Sequence, residues 1–313
     1  MKAHICLFFT LLTLVHAEPA SDLTAHDFFY AGEAKTQDMY LVKGGKIAWS
    51  FHHPGSRGEI SDAVRLSDGR VLFAHQYGVT LLDASNQVIW KRDAPENCEI
   101  HTAQPIGKER VVYVQNGPEP KCFVVNITTD TTEREFALSA GNPKSTHGQF
   151  RHARLTAAGT LLVAHMDHGK VAEYDEHGKE LHRIPFPGPW AAERLANGHT
   201  LITSTKRVCE LDAAGKTVWE LTPADFPGHT IEGFQIATRL PNGNTLVNNW
   251  VNSWDGPLDP ANEPPQAFEV TPDKKIVWVL DAWEDPVNLG PSTTIQLLDT
   301  PSVPEEVHFG AFR

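Results

Sequence analysis

Short runs of alternating apolar and polar residues follow one another along the chain, separated by turns that contain glycine. In one recurring pattern an Arg-Leu pair precedes a turn and then an apolar, β-branched run, as in residues 65–73. The pattern returns at Arg154, Arg194 and Arg239, with one extra turn residue before Gly159. Each copy predicts two strands joined by a tight turn, because Asp-Gly and Asn-Gly pairs readily adopt positive φ.

A second pattern follows the first. It consists of a hydrophobic strand, an acidic turn and a strand that usually ends in tryptophan, most clearly in residues 208–219. Further copies run over residues 38–49, 79–90, 171–182 and 267–278. Together the two patterns predict a four-stranded antiparallel unit of about 40 residues, the size of a propeller blade. We expect each tryptophan to pack between neighbouring blades, with Phe136 in its place in the third blade.

The number of blades follows from the two ends of the chain. Residues 28–49 supply only the last three strands of a blade, and residues 292–298 supply a single first strand. If the C-terminal strand completes the N-terminal blade, the ring closes and leaves no free edge. We therefore predict an all-β fold, a single β-propeller over residues 18–313 with six four-stranded blades. Seven blades is the alternative count.

The first 17 residues have the layout of a signal peptide. Lys2 is positively charged, residues 5–15 are apolar, and Val15-His16-Ala17 is a small-residue cleavage site. The apolar run is too short to span a bilayer. We expect cleavage after Ala17, a periplasmic or secreted mature protein, and no membrane insertion.

The net charge limits the classes of binding partner, and the cysteine content bears on disulfide formation. The net charge of −12 argues against nucleic acid as a partner, so we expect a small molecule or an oligosaccharide bound to a monomer. Cys98, Cys122 and Cys209 remain after the signal peptide is removed. Cys98 and Cys122 fall within one repeat and are compatible with a disulfide, while three free thiols are the alternative.

The repeats resemble two known families. The phrase Gly215-Lys216-Thr217-Val218-Trp219 resembles pyrroloquinoline-quinone-like repeats, and residues 239–246 look like blades of the periplasmic arylsulfate sulfotransferases. The resemblance to the second family implies six blades and a histidine nucleophile. The resemblance to the first family does not extend to quinone binding, because quinoproteins of that group are normally larger, eight-bladed rings. The resemblance is one of repeat pattern, which indicates architecture better than function.

Polar residues recur at the predicted ends of the second strands. Counted from the turn glycine, the same offset gives His75, His165, Ser204 and Asn249, and Gln115 ends the corresponding strand of the third blade. Strand ends are often polar for structural reasons, but two histidines among five residues favour a functional role. We predict a ring of polar side chains at one height around the channel mouth, on the face where propellers usually bind ligands.

Loops between blades lead to the same face and carry histidines, mostly in blades two to four. Imidazole serves both acid–base chemistry near neutral pH and metal binding, although any single histidine is equally compatible with a structural role. The candidate catalytic residues are His75, His101, His152, His165 and Arg151. The candidate ligands of a divalent metal ion are His75, His101, His152 and His165.

Tryptophans concentrate in blades five and six, and several lie outside the repeat position that blade packing explains. An exposed tryptophan near carboxylates suits a sugar ring. The candidate substrate-binding residues are Gln115, His147, His168, Trp190, Asn249, Trp250, Trp254 and Trp283. Two of these tryptophans belong to residues 248–266, the longest connection between strands, and long loops in compact domains are often functional.

Four functions are consistent with these features. The first is an enzyme, a lyase or hydrolase, that acts on an extracellular glycan or related small molecule, with histidines as acid or base and Arg151 neutralising an acidic substrate. The second is a binding protein without chemistry on the same face. The third is a scaffold that uses the outer rim. The fourth is an arylsulfate sulfotransferase-like enzyme.

Overall fold

The computed structural model describes residues 22–32, 37–55, 58–251, 263–299 and 303–313. The expected signal peptide (residues 1–17) and Trp254 lie outside these ranges. Within them, no helix has the length and apolar character needed to cross a membrane.

Six antiparallel sheets of four strands form the blades of one β-propeller. Each blade is given from the channel outwards. Blade 1 contains β24 (Thr294–Leu297), β1 (Phe28–Ala31), β2 (Asp38–Lys43) and β3 (Lys46–His52). Blade 2 contains β4 (Asp62–Arg65), β5 (Val71–Ala74), β6 (Gly78–Leu82) and β7 (Val88–Asp93). Blade 3 contains β8 (Glu99–Ile106), β9 (Arg110–Asn116), β10 (Lys121–Asn126) and β11 (Thr131–Ala137).

The remaining three blades follow in chain order. Blade 4 contains β12 (Phe150–Leu155), β13 (Leu161–His165), β14 (Lys170–Tyr174) and β15 (Glu180–Pro185). Blade 5 contains β16 (Ala191–Arg194), β17 (Thr200–Ser204), β18 (Arg207–Leu211) and β19 (Thr217–Leu221). Blade 6 contains β20 (Phe234–Arg239), β21 (Thr245–Asn249), β22 (Ala267–Val270) and β23 (Ile276–Leu280). Short 3₁₀ helices occur at Thr146–Gly148 and Pro223–Asp225.

The C-terminal strand closes the ring, as predicted. β24 pairs antiparallel with β1, and Ile295 lies opposite Tyr30 in the register. The six-blade count is therefore confirmed. Because β1 would otherwise be an unpaired edge, this pairing protects its buried residues Phe28 and Phe29 from solvent.

The hydrophobic core is divided among the junctions between blades, with one cluster at each of the six junctions. The repeated tryptophans bridge these junctions, as the sequence predicts. Trp49 Nε1 of blade 1 donates to Asn86 Oδ1 of blade 2 over 2.7 Å, and Trp90 Nε1 donates to Asp130 Oδ1 of blade 3 over 2.9 Å. Each indole thus buries apolar area and still satisfies its N–H group.

Phe136 occupies the tryptophan position of blade 3, and the C-terminal segment explains why a smaller ring suffices there. Phe309 is fully buried in the cluster between blades 3 and 4, with its ring centroid 6.3 Å from that of Phe136. Residues 303–313 run along the turns between first and second strands of blades 2 to 4. Backbone bonds hold this segment, from Gly107 N to Glu305 O (2.9 Å) and from Gly310 N to Gly159 O (2.8 Å).

The first strand of every blade lies innermost, and these six strands contact one another around the channel. The channel has two faces. One face gathers the loops between blades and the turns between second and third strands, and we call it the loop face. The other gathers the turns between first and second strands, and we call it the turn face. Cys98, Cys122 and Cys209 are free thiols.

Candidate functional site

A cluster of charged and polar side chains lies on the loop face where three successive blades begin. The loop before β4 supplies Glu59 and Ser61, and the start of β8 supplies Glu99 and His101. The 3₁₀ helix before β12 supplies His147, and β12 itself supplies Arg151. We call these six residues the His–Arg cluster. Their meeting follows from the curvature of the ring, because the inner strands of blades 2, 3 and 4 converge on the channel.

His101 lies at the centre of this cluster and has no exposed side-chain surface. Its Nε2 atom lies 2.7 Å from Glu99 Oε2, and its Nδ1 atom lies 3.0 Å from Nη1 of Arg151. A guanidinium group can only donate, so Nδ1 of His101 accepts this bond and Nε2 carries the proton. The Ser61 hydroxyl lies 2.9 Å from both Glu59 Oε1 and His101 Nδ1.

His147 is the solvent-facing member of the cluster, with 52% of its side chain exposed. Nδ1 lies 2.9 Å from Glu99 Oε2, and Nε2 lies 2.6 Å from Nη2 of Arg151. By the same reasoning Nε2 accepts from Arg151, and the Nδ1–H group donates to Glu99. Arg151 also donates to Glu59 through Nη1, so one guanidinium group joins both histidines to a carboxylate.

The charges of the cluster are held in place by these bonds. Burial opposes ionisation of Glu99, but hydrogen bonds from His101 and His147 hold the pKa of its carboxyl well below the usual range. Glu99 is therefore a fixed anion at neutral pH, and its side chain is 16% exposed. An exposed imidazole oriented by a carboxylate is the arrangement of a general base with its orienting group.

The structure does not bring the four predicted metal ligands together. Among the described residues, the atoms of Glu99, His101 and His147 form the group with metal-ligand spacing, within 4.8 Å of one another. Histidines that bind metals normally donate their second N–H to an acceptor, but here both second nitrogens face Arg151. His101 Nε2 and His147 Nδ1 therefore carry protons, and the group suits a proton-transfer network better than a metal site.

His75 and His165, predicted as catalytic residues and metal ligands, lie apart from the cluster and are buried. The His75 ring lies against that of His53, with centroids 4.4 Å apart, and burial lowers the pKa of His75 to about 4. His165 Nε2 accepts from the Tyr174 hydroxyl over 3.0 Å, and Nδ1 lies 3.2 Å from Ser139 O. Burial lowers the pKa of His165 to about 3. These contacts and the lowered pKa values indicate that His75 and His165 are neutral and hold the adjacent loops in place.

His152 lies at the inner wall of the channel with its side chain fully buried. Its Nδ1 atom is 3.8 Å from Asp62 Oδ2, which is too far for a hydrogen bond, and neither ring nitrogen has a partner among the described residues. Burial lowers the pKa of His152, although the Asp62 carboxylate opposes this effect. His152 is thus a neutral side chain beneath the His–Arg cluster rather than a member of it.

The predicted ring of polar residues at the second-strand ends does not surround the channel. Second strands lie behind the first strands, so their polar ends face neighbouring loops. Asn249 accepts a bond from Glu232 N over 3.0 Å and donates to Pro265 O over 2.9 Å. Gln115 Nε2 lies 3.6 Å from Cys98 Sγ. These side chains brace the loop face, and substrate binding by Gln115 and Asn249 stays a prediction.

Two of the candidate tryptophans form a pair on the loop face. Trp190 and Trp250 meet edge to face, with ring centroids 5.4 Å apart. The Trp190 carbonyl accepts a bond from the N–H group of His152, so the backbone of this tryptophan lies beside the strand that carries Arg151. Trp283 donates from Nε1 to Pro264 O over 3.1 Å, and the exposed His168 lies 6.0 Å from the His165 ring.

Sequence reasoning missed Glu59, Ser61 and Asp62. All three lie just before or at the start of β4 and shortly before the Arg-Leu pair of blade 2, and Asp62 holds the same position relative to Arg65 that Arg151 holds relative to Arg154. Alignment of the residues before each Arg-Leu pair, instead of the strand ends, would have singled them out.

No protein-family model matches the chain, and no curated protein matches it. Solved structures do. A protein of unknown function from Bacteroides caccae has a TM-score of 0.74 and 20% identity, over 88% of this chain and 99% of that one. Virginiamycin B lyase from Staphylococcus aureus, solved with quinupristin, has a TM-score of 0.54 and 11% identity, over 81% and 94%. The WD40 propeller of Doa1 has a TM-score of 0.55 and 13% identity, over 72% and 73%.

At these identities the likeness extends to the fold alone. The chain is a six-bladed β-propeller similar to a protein of unknown function, a lyase and a WD40 domain. The comparisons lend no support to the pyrroloquinoline-quinone-like or sulfotransferase resemblance beyond the propeller architecture. The histidine nucleophile of the sulfotransferases therefore stays a prediction.

Proposed function

We propose that the protein is an enzyme that binds an acidic carbohydrate on the loop face and cleaves it by elimination, with His147 as the base. The observation that carries this proposal is the position of Arg151, which donates to His147 Nε2 from Nη2 while Glu59 holds its other end. The guanidinium group thereby occupies the lone pair of His147 Nε2, so this nitrogen cannot take up a proton until Arg151 donates to a better hydrogen-bond acceptor.

A substrate carboxylate is such an acceptor, since arginine binds carboxylates through paired N–H groups. When the carboxylate of a uronic acid takes the Nη2–H group, Nε2 of His147 becomes free. The carbon next to that carboxylate then lies near the base, and its proton is made more acidic by the neutralised carboxylate. Substrate binding thus activates the base and positions the carbon to be deprotonated.

The reaction balances as an elimination. His147 Nε2 takes the proton from the carbon bonded to the carboxylate, and the electron pair forms a carbon–carbon double bond. The glycosidic oxygen on the next carbon leaves with the electrons of its bond and takes a proton from solvent water to become an alcohol, and the imidazolium ion of His147 then returns its proton to the hydroxide left behind. Glu99 accepts the Nδ1–H bond throughout and stabilises the imidazolium ion that forms.

Trp190 and Trp250 supply an apolar wall for the sugar ring in this proposal, because they form an aromatic pair on the same face as the cluster. The fold is compatible with such chemistry. The solved virginiamycin B lyase is a His-to-Ala variant that is catalytically inactive, so a propeller of similar fold uses a histidine for a lyase reaction.

The test uses uronic acid oligosaccharides, with neutral oligosaccharides of the same length beside them. Elimination gives a double bond conjugated to the carboxylate, and its ultraviolet absorbance reports turnover directly. We expect turnover of an acidic substrate only, and we expect His147→Gln to lower kcat by about 100-fold or more. Arg151→Lys keeps the charge but loses the paired donors, and we expect a higher KM together with a lower kcat.

His52 provides a matched control for His147. It is exposed, and it bonds to the carboxylate of Asp38 over 3.0 Å at a position outside the cluster. His52→Gln should leave kcat and KM unchanged. Equal turnover by the native protein and by His147→Gln would remove His147 from the reaction.

A non-catalytic binding protein is the second candidate. It is favoured by one observation: His101 is fully buried and both its nitrogens are bonded, so the cluster is also a rigid recognition surface. Saturable binding of an acidic oligosaccharide without any product, and with an affinity that His147→Gln does not change, would select this function.

We also propose that the protein is exported, because residues 1–17 have the layout of a signal peptide. Mass analysis of the protein recovered from the host's extracytoplasmic fraction tests this. A chain that begins at Glu18 supports export, and a full-length chain found in the cytoplasm contradicts it.

A further inference from the structure

A second concave site opens on the turn face, opposite the His–Arg cluster. It is a cavity of about 850 Å³ at the centre of the ring, within the range of small-molecule sites. Its wall is mostly apolar and includes Ala63, Ile236, Leu246, Ile295 and Leu297. Pro304 of the C-terminal segment forms part of the rim. The proposed function uses none of these residues.

The inner end of the cavity is polar because one arginine departs from the repeat. In blades 5 and 6 the arginine of the Arg-Leu pair binds a glutamate of the preceding blade, as Arg239 binds Glu210 over 2.7 Å. The third strand of blade 3, β10, contains no acidic residue. Arg154 of blade 4 therefore reaches across the channel to Asp62 of blade 2, with contacts of 2.8 and 2.9 Å.

This ion pair is internally balanced. Burial opposes ionisation of Asp62, but Arg154 holds the pKa of its carboxyl well below the usual range, so both groups stay charged and offset each other. A charged ligand would leave an uncompensated charge in a mostly apolar cavity. The inner end therefore favours a neutral group.

Thr294 supplies the second observation. It lines the same cavity as Asp62 and is 7% exposed, and its Oγ1 atom is buried with no hydrogen-bond partner among the described residues. A buried hydroxyl without a partner is costly, so such groups usually meet a ligand or an ordered water. Asp62 Oδ1 accepts one bond, from Arg154, and retains a lone pair for another.

We propose that this cavity binds a neutral, mostly apolar molecule that carries a hydroxyl group. The hydroxyl donates to Asp62 Oδ1 and accepts from Thr294 Oγ1, and the apolar body lies against the aliphatic wall. An alcohol or a phenol meets both demands, whereas an amine, a carboxylate or a pure hydrocarbon does not.

The test measures displacement of the neutral fluorescent dye N-phenyl-1-naphthylamine by 2-naphthol and by 2-methylnaphthalene, which differ only by hydroxyl against methyl. We expect 2-naphthol to bind the native chain more tightly than 2-methylnaphthalene. Thr294→Val is nearly isosteric and removes the unpartnered hydroxyl. It should weaken 2-naphthol binding by about 2- to 10-fold and leave 2-methylnaphthalene unchanged.

Thr238→Trp is designed to narrow the cavity, since Thr238 is half-buried in its wall, and it should weaken binding of both compounds. Ala63→Leu, a smaller change in the same wall, replaces it if circular dichroism shows that the tryptophan variant does not fold. His147→Gln, on the other face, should change neither affinity. Affinities for both compounds that the narrowed variants leave unchanged, or a 2-naphthol preference that Thr294→Val leaves intact, would overturn the proposal. So would a native chain that binds neither compound, because water alone would then satisfy Thr294.

Discussion

Nη2 of Arg151 lies 2.6 Å from Nε2 of His147 and donates a hydrogen bond to it. The bond determines the tautomer of the imidazole, because a guanidinium group offers no acceptor and the second ring nitrogen must then carry the proton. The same contact keeps the outermost nitrogen of the cluster occupied in the absence of substrate. The chemistry that we propose for the loop face depends on this single contact.

We predict that His147 exists as the Nδ1–H tautomer in the resting protein. Arg151→Met keeps most of the stem of the side chain and removes the donor, so both tautomers should become populated. Nitrogen-15 NMR of labelled histidine distinguishes the two forms by the shifts of Nδ1 and Nε2. Arg183→Met is the control, since Arg183 is exposed and pairs with Glu180 at the rim. Identical His147 spectra in the native chain and in Arg151→Met would contradict the assignment.

The same tautomer predicts weak metal binding by the native chain. Zinc needs unprotonated nitrogens, and Arg151 occupies the nitrogens that would otherwise carry the protons of His101 and His147. We expect little heat from zinc in titration calorimetry of the native protein and a clear gain of affinity in Arg151→Met. Tight binding by the native chain that His147→Gln abolishes would show that the cluster is a metal site.

Glu193 should make the protein less stable as the pH rises. Burial raises the pKa of its carboxyl from 4.5 to about 7. Between these values the folded state holds a proton that the unfolded state has lost, so the free energy of unfolding falls as the pH rises from 4.5 to 7. Glu193→Gln should match the native chain near pH 4.5 and exceed it at pH 8, by up to about 3 kcal/mol. Urea unfolding at both values measures this, and an equal difference at both would contradict it.

The sequence pattern was sufficient for the architecture because each blade repeats the same alternation and the same turn residues. Even the missing strand of the first blade was recognisable, since residues 292–298 had no other place to pair. The C-terminal segment was not predicted. Its contacts with Gly107 and Gly159 are mainly backbone bonds, which leave no side-chain pattern in the sequence.

The site was predicted only in part, for a geometric reason. His101, His147 and Arg151 were recognised by residue type, but their partners Glu59 and Ser61 precede a different blade. The ring brings these residues together across more than 80 positions of sequence, as the separation of 92 between Glu59 and Arg151 shows. The Arg154–Asp62 pair in the channel cavity follows from the absence of an acidic residue from β10, and a search for motifs does not detect a missing residue.

Acid should destabilise the protein through His165. Burial lowers its pKa from 6.5 to about 3, so below pH 6.5 the unfolded state takes up a proton that the folded state refuses. Stability conferred by the neutral ring is complete above pH 6.5 and is lost as the pH falls towards 3. His165→Asn retains a donor for Ser139 O and should flatten the decline of melting temperature between pH 6.5 and 4. His168→Asn, the exposed neighbour, should keep the native slope, and equal slopes in all three proteins would contradict the role of His165.

Closure of the ring predicts two different outcomes for two truncations. A chain that ends at residue 291 lacks β24, which exposes the edge of β1 and removes Ile295 from the core between blades 6 and 1. We expect this chain to aggregate or to remain unfolded, as seen by size-exclusion chromatography and circular dichroism. A chain that ends at residue 302 retains the closing strand and should fold as a monomer.

The chain that ends at residue 302 should still be less stable than the full-length chain, because it lacks Phe309, which packs in the cluster between blades 3 and 4. Phe309→Ala isolates that contribution and should lower the free energy of unfolding by about 3 to 5 kcal/mol, the usual cost of deleting a buried aromatic ring. Phe312→Ala, which removes a partly buried ring from the same segment, should cost less. A chain ending at 291 that folds and melts like one ending at 302 would show that β24 does not close the ring, and that the propeller is held together by the junctions between blades alone.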